Sequence, residues 1–222
     1  PLEAQPADSA PIERWRVGTA TRDTVAWYPL PPRSKRDLPP GEGWRAFEAT
    51  AQWAVAPDGS IAIVRPEPYS VVLITASGVR VRGKPLTYAR IKVSAAHKEA
   101  WLGEQTRHRP VLIQSPGKPT PTAGLRATKP FEPIQWPTYL PPFLDHALHF
   151  APDGTLWIQR TNAVVDRMIF DLVGSQGTAK KQVVSRLRGR LIGLGRKCVY
   201  IVHTDKDQQE FLARYCGVES SR

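Results

Sequence analysis

The chain has 222 residues and a formal net charge of +11, and 41% of its residues are hydrophobic while 23% are charged. This composition is typical of a folded globular protein and excludes a disordered chain. No apolar run approaches the ~20 residues that a membrane-spanning helix requires, so we expect no transmembrane segment. The excess of positive charge makes an anionic polymer a candidate partner.

Short strands dominate the sequence, because apolar residues alternate with polar ones and Gly or Pro residues separate the runs. The first clear strand is "DTVAWY" at 23–28, and a proline-rich stretch, "PLPPRSKRDLPPGEG", follows as a predicted loop at 29–43. The pattern predicts an all-β protein built from antiparallel hairpins.

Two ten-residue stretches are near copies of each other: "APDGSIAIVR" at 56–65 and "APDGTLWIQR" at 151–160. In each copy Pro sets φ for a tight turn, Asp accepts a local backbone hydrogen bond, and Gly takes the positive φ. We therefore interpret Asp58 and Asp153 as turn residues rather than catalytic carboxylates. Each copy predicts a hairpin in a small sheet of its own.

Two weaker copies align with the strand that follows these turns. "DTVAWY" places Ala26 opposite Ala62, and "KCVYIV" places Tyr200 opposite Trp157. The spacing is 36 residues from Ala26 to Ala62, 95 from Ala62 to Trp157, and 43 from Trp157 to Tyr200. The first and last spacings are near the ~40 residues of one four-stranded propeller blade, whereas the middle one is longer by about one blade.

The excess in the middle lies at 94–143, which we interpret as an insertion or a degenerate repeat. "SAAHKEAWLGEQ" at 94–105 starts with Ser94, a good N-cap, and continues with helix-forming residues, so it predicts a short surface helix. The proline-rich stretch that follows, 109–143, favours extended loops.

Polar clusters offer few candidates for chemistry. "DHALHF" at 145–150 contains Asp145, His146 and His149, but on a strand the two histidines point to opposite faces, so we predict no metal site and no cofactor. His203 and Asp205 follow the strand of the last repeat and are candidate ligand-binding residues at its polar end.

Cys198 and Cys216 are compatible either with one disulfide bond or with two free thiols.

The most basic stretch is "KKQVVSRLRGRLIGLGRK" at 180–197, which contains seven basic residues and no acid. On a strand, its three central arginines share one face while Leu187 and Leu191 can face a core. We interpret the stretch as an outward polar face and a candidate anion-binding patch of Lys180, Lys181, Arg186, Arg188 and Arg190. Because no reading helix or RNA-binding aromatic motif accompanies the charge, we expect no sequence-specific binding of nucleic acid.

The chain has seven tryptophans, whose flat rings can stack on sugars or bases. Trp53 and Trp157 lie on predicted strands among apolar neighbours, so we expect them to pack between sheets. Trp44, Trp101 and Trp136 lie in loop or helix regions and are candidates to line a ligand-binding surface.

Three stretches carry a resemblance to a known family: 53–88, which begins "WAVAPDGSIAIVR", 136–160, which ends "HFAPDGTLWIQR", and 189–215, which contains "GRKCVYIVHTD". They cover about 40% of the chain and resemble bacterial six-bladed β-propeller proteins of the NHL and TolB-like kind. The resemblance implies that residues 1–222 form a single β-propeller domain of about four blade-like units, truncated at its N-terminus. It also implies a location outside the cytoplasm, periplasmic or secreted.

The resemblance supplies no catalytic residues, so we expect a non-enzymatic module that binds a protein, a peptide or a glycan. The alternative is a propeller hydrolase or lactonase with its site at the mouth of the channel. That alternative requires His146, Asp166, His203 and Asp205 to converge on one cavity.

Overall fold

The computed structural model describes residues 8–15, 17–30, 46–107, 135–162, 167–205, 207 and 209–217. These ranges form four antiparallel β-sheets and one α-helix. The prediction of an all-β protein with one short helix is therefore confirmed.

Each sheet is a meander in which every strand pairs with the next strand along the chain. The first sheet contains β1 (Ser9–Trp15) and β2 (Arg22–Pro29). The second contains β3 (Gln52–Val55), β4 (Ile61–Pro66), β5 (Tyr69–Ile74) and β6 (Arg80–Arg82). The third contains β7 (Leu148–Phe150), β8 (Leu156–Gln159), β9 (Met168–Val173) and β10 (Ala179–Ser185). The fourth contains β11 (Arg190–Leu194), β12 (Cys198–Thr204) and β13 (Glu210–Cys216).

The two copied stretches form equivalent hairpins in the second and third sheets. Asp58 Oδ1 accepts a hydrogen bond from the Ser60 N–H at 2.9 Å, and Asp153 Oδ1 accepts one from the Thr155 N–H at 2.9 Å. The glycines that follow, at 59 and 154, have φ of +84° and +79°. The prediction that both carboxylates build turns, each in its own sheet, is confirmed.

The alignment of the weaker copies is also confirmed. Ala26, Ala62, Trp157 and Tyr200 lie on β2, β4, β8 and β12, the second strand of each of the four sheets.

Between β6 and β7 the described residues contain no further sheet. They contain α1 (Ala95–Arg107), whose first turn is capped because Ser94 Oγ accepts a hydrogen bond from the His97 N–H at 3.3 Å. The predicted helix is thus present, and most of the proline-rich stretch after it lies outside the described residues.

The sheets stack in chain order because their central strands are apolar on both faces. On β4, Ile61 and Ile63 pack toward Ile12 and Ala26 of the first sheet. The alternate residues of β4, Ala62 and Val64, belong to the core shared with the third sheet. A third core joins Met168 and Phe170 of β9 to Leu191 and Ile201 of the fourth sheet. The first strands of the second, third and fourth sheets are also neighbours, since β7 contacts both β3 and β11.

One of the two tryptophans expected between sheets is not buried there. Trp157 packs against the core between the third and fourth sheets, as predicted, and its ring lies 5.4 Å from that of Phe170 in its own sheet. Trp53 is 46% exposed, and Val55, on the same face of the short strand β3, is 54% exposed. This face of β3 is therefore largely open to solvent. Alternation along a strand separates the two faces but does not determine which face is covered.

The prediction of one strand through the three central arginines of 180–197 is wrong. Residues 186–189 form the connection between two different sheets, and Gly189, with φ of +118°, lies at its end. Arg186, Arg188 and Arg190 are exposed. Leu187 and Leu191 pack into the core between the third and fourth sheets, as expected.

The prediction that His146 lies on a strand is also wrong. It lies in the turn before β7 with φ of +59°, whereas His149 lies on β7.

Cys198 and Cys216 form a disulfide bond between β12 and β13. The two residues are direct partners in the antiparallel register, with Cα atoms 4.1 Å apart. The bond closes the hairpin at the end opposite to its turn.

We predict that the double variant Cys198→Ala/Cys216→Ala is less stable than the native chain by about 3 kcal/mol, because the bond closes a loop of roughly 18 residues in the unfolded chain. Urea unfolding followed by tryptophan fluorescence measures the change. Reduction of the native chain should lower its unfolding midpoint to that of the variant. An unchanged midpoint in both experiments would contradict the prediction.

Candidate functional site

The described residues that lead into the third and fourth sheets lie at one edge of the stack, which we call the connection edge. In a meander, the start of the first strand, the end of the second and the start of the third lie at the same edge. The residues before β7, between β8 and β9 and before β11 therefore meet there. The helical insertion, which leads from β6 to β7, begins and ends at this edge too.

A cavity of about 470 Å³ lies at the connection edge of the third and fourth sheets. Trp101 of α1 contributes an aromatic wall, and Asp145 is the one carboxylate among the lining residues that the structure describes. The basic and imidazole side chains that line the cavity are His97, His146, Arg160, Arg167 and Arg190. Three arginines thus outnumber one carboxylate among the described lining residues, and we call this space the cationic cavity.

A second cavity, of about 770 Å³, adjoins the first and shares Phe47 and Leu140 with it. Tyr88, Trp136 and Tyr139 line it together with several prolines.

An aromatic cluster of Phe47, Trp101 and Trp136 separates the two cavities. The Trp101 and Trp136 ring centroids lie 5.5 Å apart with the rings nearly perpendicular, and Phe47 lies 6.4 Å and 6.0 Å from them. Lys98 Nζ lies 5.3 Å from the Trp136 ring centroid. The structure thus brings together two of the three tryptophans predicted to line a surface, and Trp44 lies outside the described residues.

Behind the cationic cavity lies a buried ion pair between Arg160, at the end of β8, and Asp171, on β9. Arg160 Nη1 donates to Asp171 Oδ2 at 2.9 Å, and both side chains are more than nine-tenths buried. Tyr69 OH donates to the same oxygen at 2.8 Å, and Gln182 Nε2 donates to Asp171 Oδ1 at 2.9 Å. Burial, and then the charge of Asp171, raise the pKa of Tyr69 well above its ordinary range, so the phenol stays protonated.

This network joins two sheets and orients one wall of the cavity. Tyr69 lies on β5 of the second sheet, whereas Asp171 lies on the third. Arg160 Nε also donates to the Pro142 carbonyl at 2.8 Å, and its guanidinium lies 5.2 Å and 4.8 Å from the ring centroids of Tyr69 and Tyr88. The arginine is thereby held between the sheets and the insertion.

Sequence reasoning missed this network. Arg160 has an equivalent in the first copy, Arg65, but Arg65 is exposed. Asp171 has an apolar equivalent in the first copy: Ile158 pairs with Asp171, whereas Ile63, the equivalent of Ile158, pairs with Val72. A single aspartate within the apolar strand "MIFDLV" was the one available signal, because a buried carboxylate needs a partner.

His203 and Asp205 do not line the cationic cavity. His203 Nε2 lies 2.9 Å from Tyr215 OH across the β12–β13 hairpin. Asp205 Oδ1 accepts hydrogen bonds from the Asp207 and Gln209 N–H groups, both at 2.8 Å, so this carboxylate builds the hairpin turn. Of the four residues that the hydrolase alternative requires, only His146 lines the cavity, and Asp166 lies outside the described residues.

The five residues of the predicted anion-binding patch do not share one place in the fold. Lys180 and Lys181 lie near the start of β10, whereas Arg186 and Arg188 follow its end. The seven residues of β10 separate the two groups by roughly 20 Å. Of these five residues, only Arg190 lines the cationic cavity.

No group of three or more His, Cys, Asp or Glu side chains that could hold a metal ion occurs in the part of the chain that the structure describes. Within the same ranges, none of the helical structure is both long and apolar enough to cross a membrane. No family, no curated protein and no solved structure matches the chain.

We predict that Asp171→Ala lowers the free energy of unfolding by about 3–5 kcal/mol, because it leaves the Arg160 guanidinium buried without its counter-ion. Tyr69→Phe, which removes one hydrogen bond to a charged group and keeps the ring, should cost about 1.5 kcal/mol. Urea unfolding of both single variants and the double variant measures their coupling. Additive effects would contradict a shared network.

We also predict that His149 makes the chain less stable in acid. Burial lowers the pKa of His149 below its ordinary value of 6.5, so the unfolded chain binds a proton that the folded chain does not. The free energy of unfolding should be highest above about pH 6.5 and fall as the pH drops toward the folded-state pKa. Urea unfolding at pH 8.0 and 5.5 checks this, and His149→Gln should show the smaller drop. An equal drop in both proteins would contradict the role of His149.

Proposed function

We propose that the chain contains about four consecutive blades of a β-propeller of the NHL and TolB-like kind and acts as a non-enzymatic binding module. Two observations support the propeller: the sheets stack in chain order, and the first strands of the second, third and fourth sheets are neighbours. The Cys198–Cys216 bond supports a location in the periplasm or outside the cell, where disulfides persist.

We propose further that the cationic cavity binds the anionic groups of an acidic glycan. The observation that carries this is the imbalance among the described lining residues, in which three arginines and two histidines accompany one carboxylate, Asp145. Arginine recognises carboxylate, sulfate and phosphate groups through paired N–H donors. Because Asp171 already engages Arg160, the two arginines assigned to the ligand are Arg167 and Arg190.

The remaining properties of the cavity agree with a sugar ligand. Its volume of about 470 Å³ lies within the range of small-molecule sites, ~300–1,000 Å³. Trp101 lines it and provides an aromatic ring, the side chain on which sugars stack. The net charge of +11 increases the rate at which polyanions meet the protein.

The test is calorimetric titration of the chain with an oligogalacturonate and with an uncharged galacto-oligosaccharide of the same length. We predict that only the acidic sugar binds, and that Arg190→Glu and Arg167→Glu each weaken it at least tenfold, since each replaces an attraction by a repulsion.

Arg196→Glu is the matched control, because it makes the same charge change at an exposed position in the β11–β12 turn, at the edge opposite to the cavity. It should bind as the native chain does. Equal loss of affinity in Arg196→Glu and Arg190→Glu would assign the binding to net charge rather than to the cavity. Equal binding of the two sugars would overturn the proposal.

A further inference from the structure

The outer edge of the fourth sheet differs from those of the second and third. Those two sheets have four strands each, whereas the fourth ends at β13 within the described ranges. Adjacent apolar side chains on β13 are exposed: Phe211 to 50% and Leu212 to 65%. The strand, "EFLARYC", contains neither the lysine nor the proline that commonly protects an edge strand from pairing.

The hydrogen bonds of the β12–β13 hairpin show which backbone groups of β13 point outward. At one end Asp205 N–H donates to Gln209 O at 3.0 Å, and at the other Gly217 N–H donates to Lys197 O at 3.1 Å. The backbone N–H and C=O groups of the odd-numbered residues of β13 therefore point toward β12, because bonded and non-bonded pairs alternate in an antiparallel ladder. The N–H and C=O groups of Glu210, Leu212 and Arg214 point to the open edge.

We infer that β13 is the interface with a second copy of this chain, which pairs with it antiparallel about a two-fold axis at Leu212. In this register Glu210 lies opposite the partner's Arg214, Arg214 lies opposite the partner's Glu210, and the two Leu212 side chains meet. Opposite charges on directly paired residues stabilise a sheet, and a two-fold axis forms each such pair twice.

Charge complementarity selects this register over its neighbours. An axis at Phe211 pairs Glu210 with Leu212, and an axis at Ala213 pairs Leu212 with Arg214, so both place a charge opposite a leucine. Only the axis at Leu212 pairs the two charges with each other and the apolar side chain with itself. Each strand contributes its outward backbone groups to the ladder in this register.

The face of the fourth sheet that carries Leu212 also suits a second copy. Leu212 is the partner of Val202 on β12, whose neighbour Ile201 points the other way, into the core with the third sheet. Pairing across Leu212 therefore extends an apolar row from Val202 through both leucines to the partner's Val202. The disulfide between Cys198 and Cys216 holds β13 on β12, so the edge is formed before the partner binds.

Sedimentation velocity of the full chain at a series of concentrations tests the inference. We expect the native chain to be a dimer at high concentration, and Glu210→Arg and Arg214→Glu each to raise the dimer dissociation constant about tenfold or more, because each creates two like-charge pairs. The double variant Glu210→Arg/Arg214→Glu restores both opposite-charge pairs and should regain the native dissociation constant.

Mixing the two single variants gives a second readout. Glu210→Arg has two arginines on the face and Arg214→Glu has two glutamates, so we expect a heterodimer from the mixture although each variant alone is monomeric. Circular dichroism and unfolding midpoints establish that each variant is folded. A native chain that stays monomeric would overturn the inference, as would single variants that dimerise like the native chain or a double variant that does not recover.

Discussion

Stacking in chain order is the constraint on which the rest of this structure depends. A sheet of two to four short strands has marginal stability alone, because both of its faces are open to water. The run "IAIV" on β4 shows how the chain meets this need, since alternate residues enter different cores on its two faces. The second and third sheets are each stabilised by the sheet before and the sheet after them.

The buried Arg160–Asp171 pair gives one interface of the stack a specific geometry. Apolar side chains alone would allow the second and third sheets to slide, whereas the Tyr69 hydroxyl must reach one oxygen of Asp171. Burying the carboxylate is costly, and three donors, from Arg160, Tyr69 and Gln182, offset that cost. The same arrangement places the arginine at the wall of the cationic cavity, so sheet packing and the shape of the site depend on common residues.

The sequence predicted those features that depend on a few neighbouring residues. Turns at Asp58 and Asp153, the helix cap at Ser94 and the second strand of every sheet depend on local geometry and short periodicity, and all are present. The exposure of Trp53 and the turn at His146 depend on what other segments cover, which periodicity does not reveal. The gathering of Trp101, Trp136 and Phe47 likewise depends on where the insertion folds back on the connection edge.

The cationic cavity and the β13 edge are independent in the fold, and their geometry limits how they act together. Antiparallel pairing of β13 reverses the strand direction in the second copy, so the connection edges of the two copies face opposite ways. Each cavity in such a dimer is open to solvent on its own side, and a glycan chain in one cavity must pass around the assembly to reach the other. The dimer therefore presents two separate sites, and any gain in affinity from binding both at once depends on the length of the polyanion.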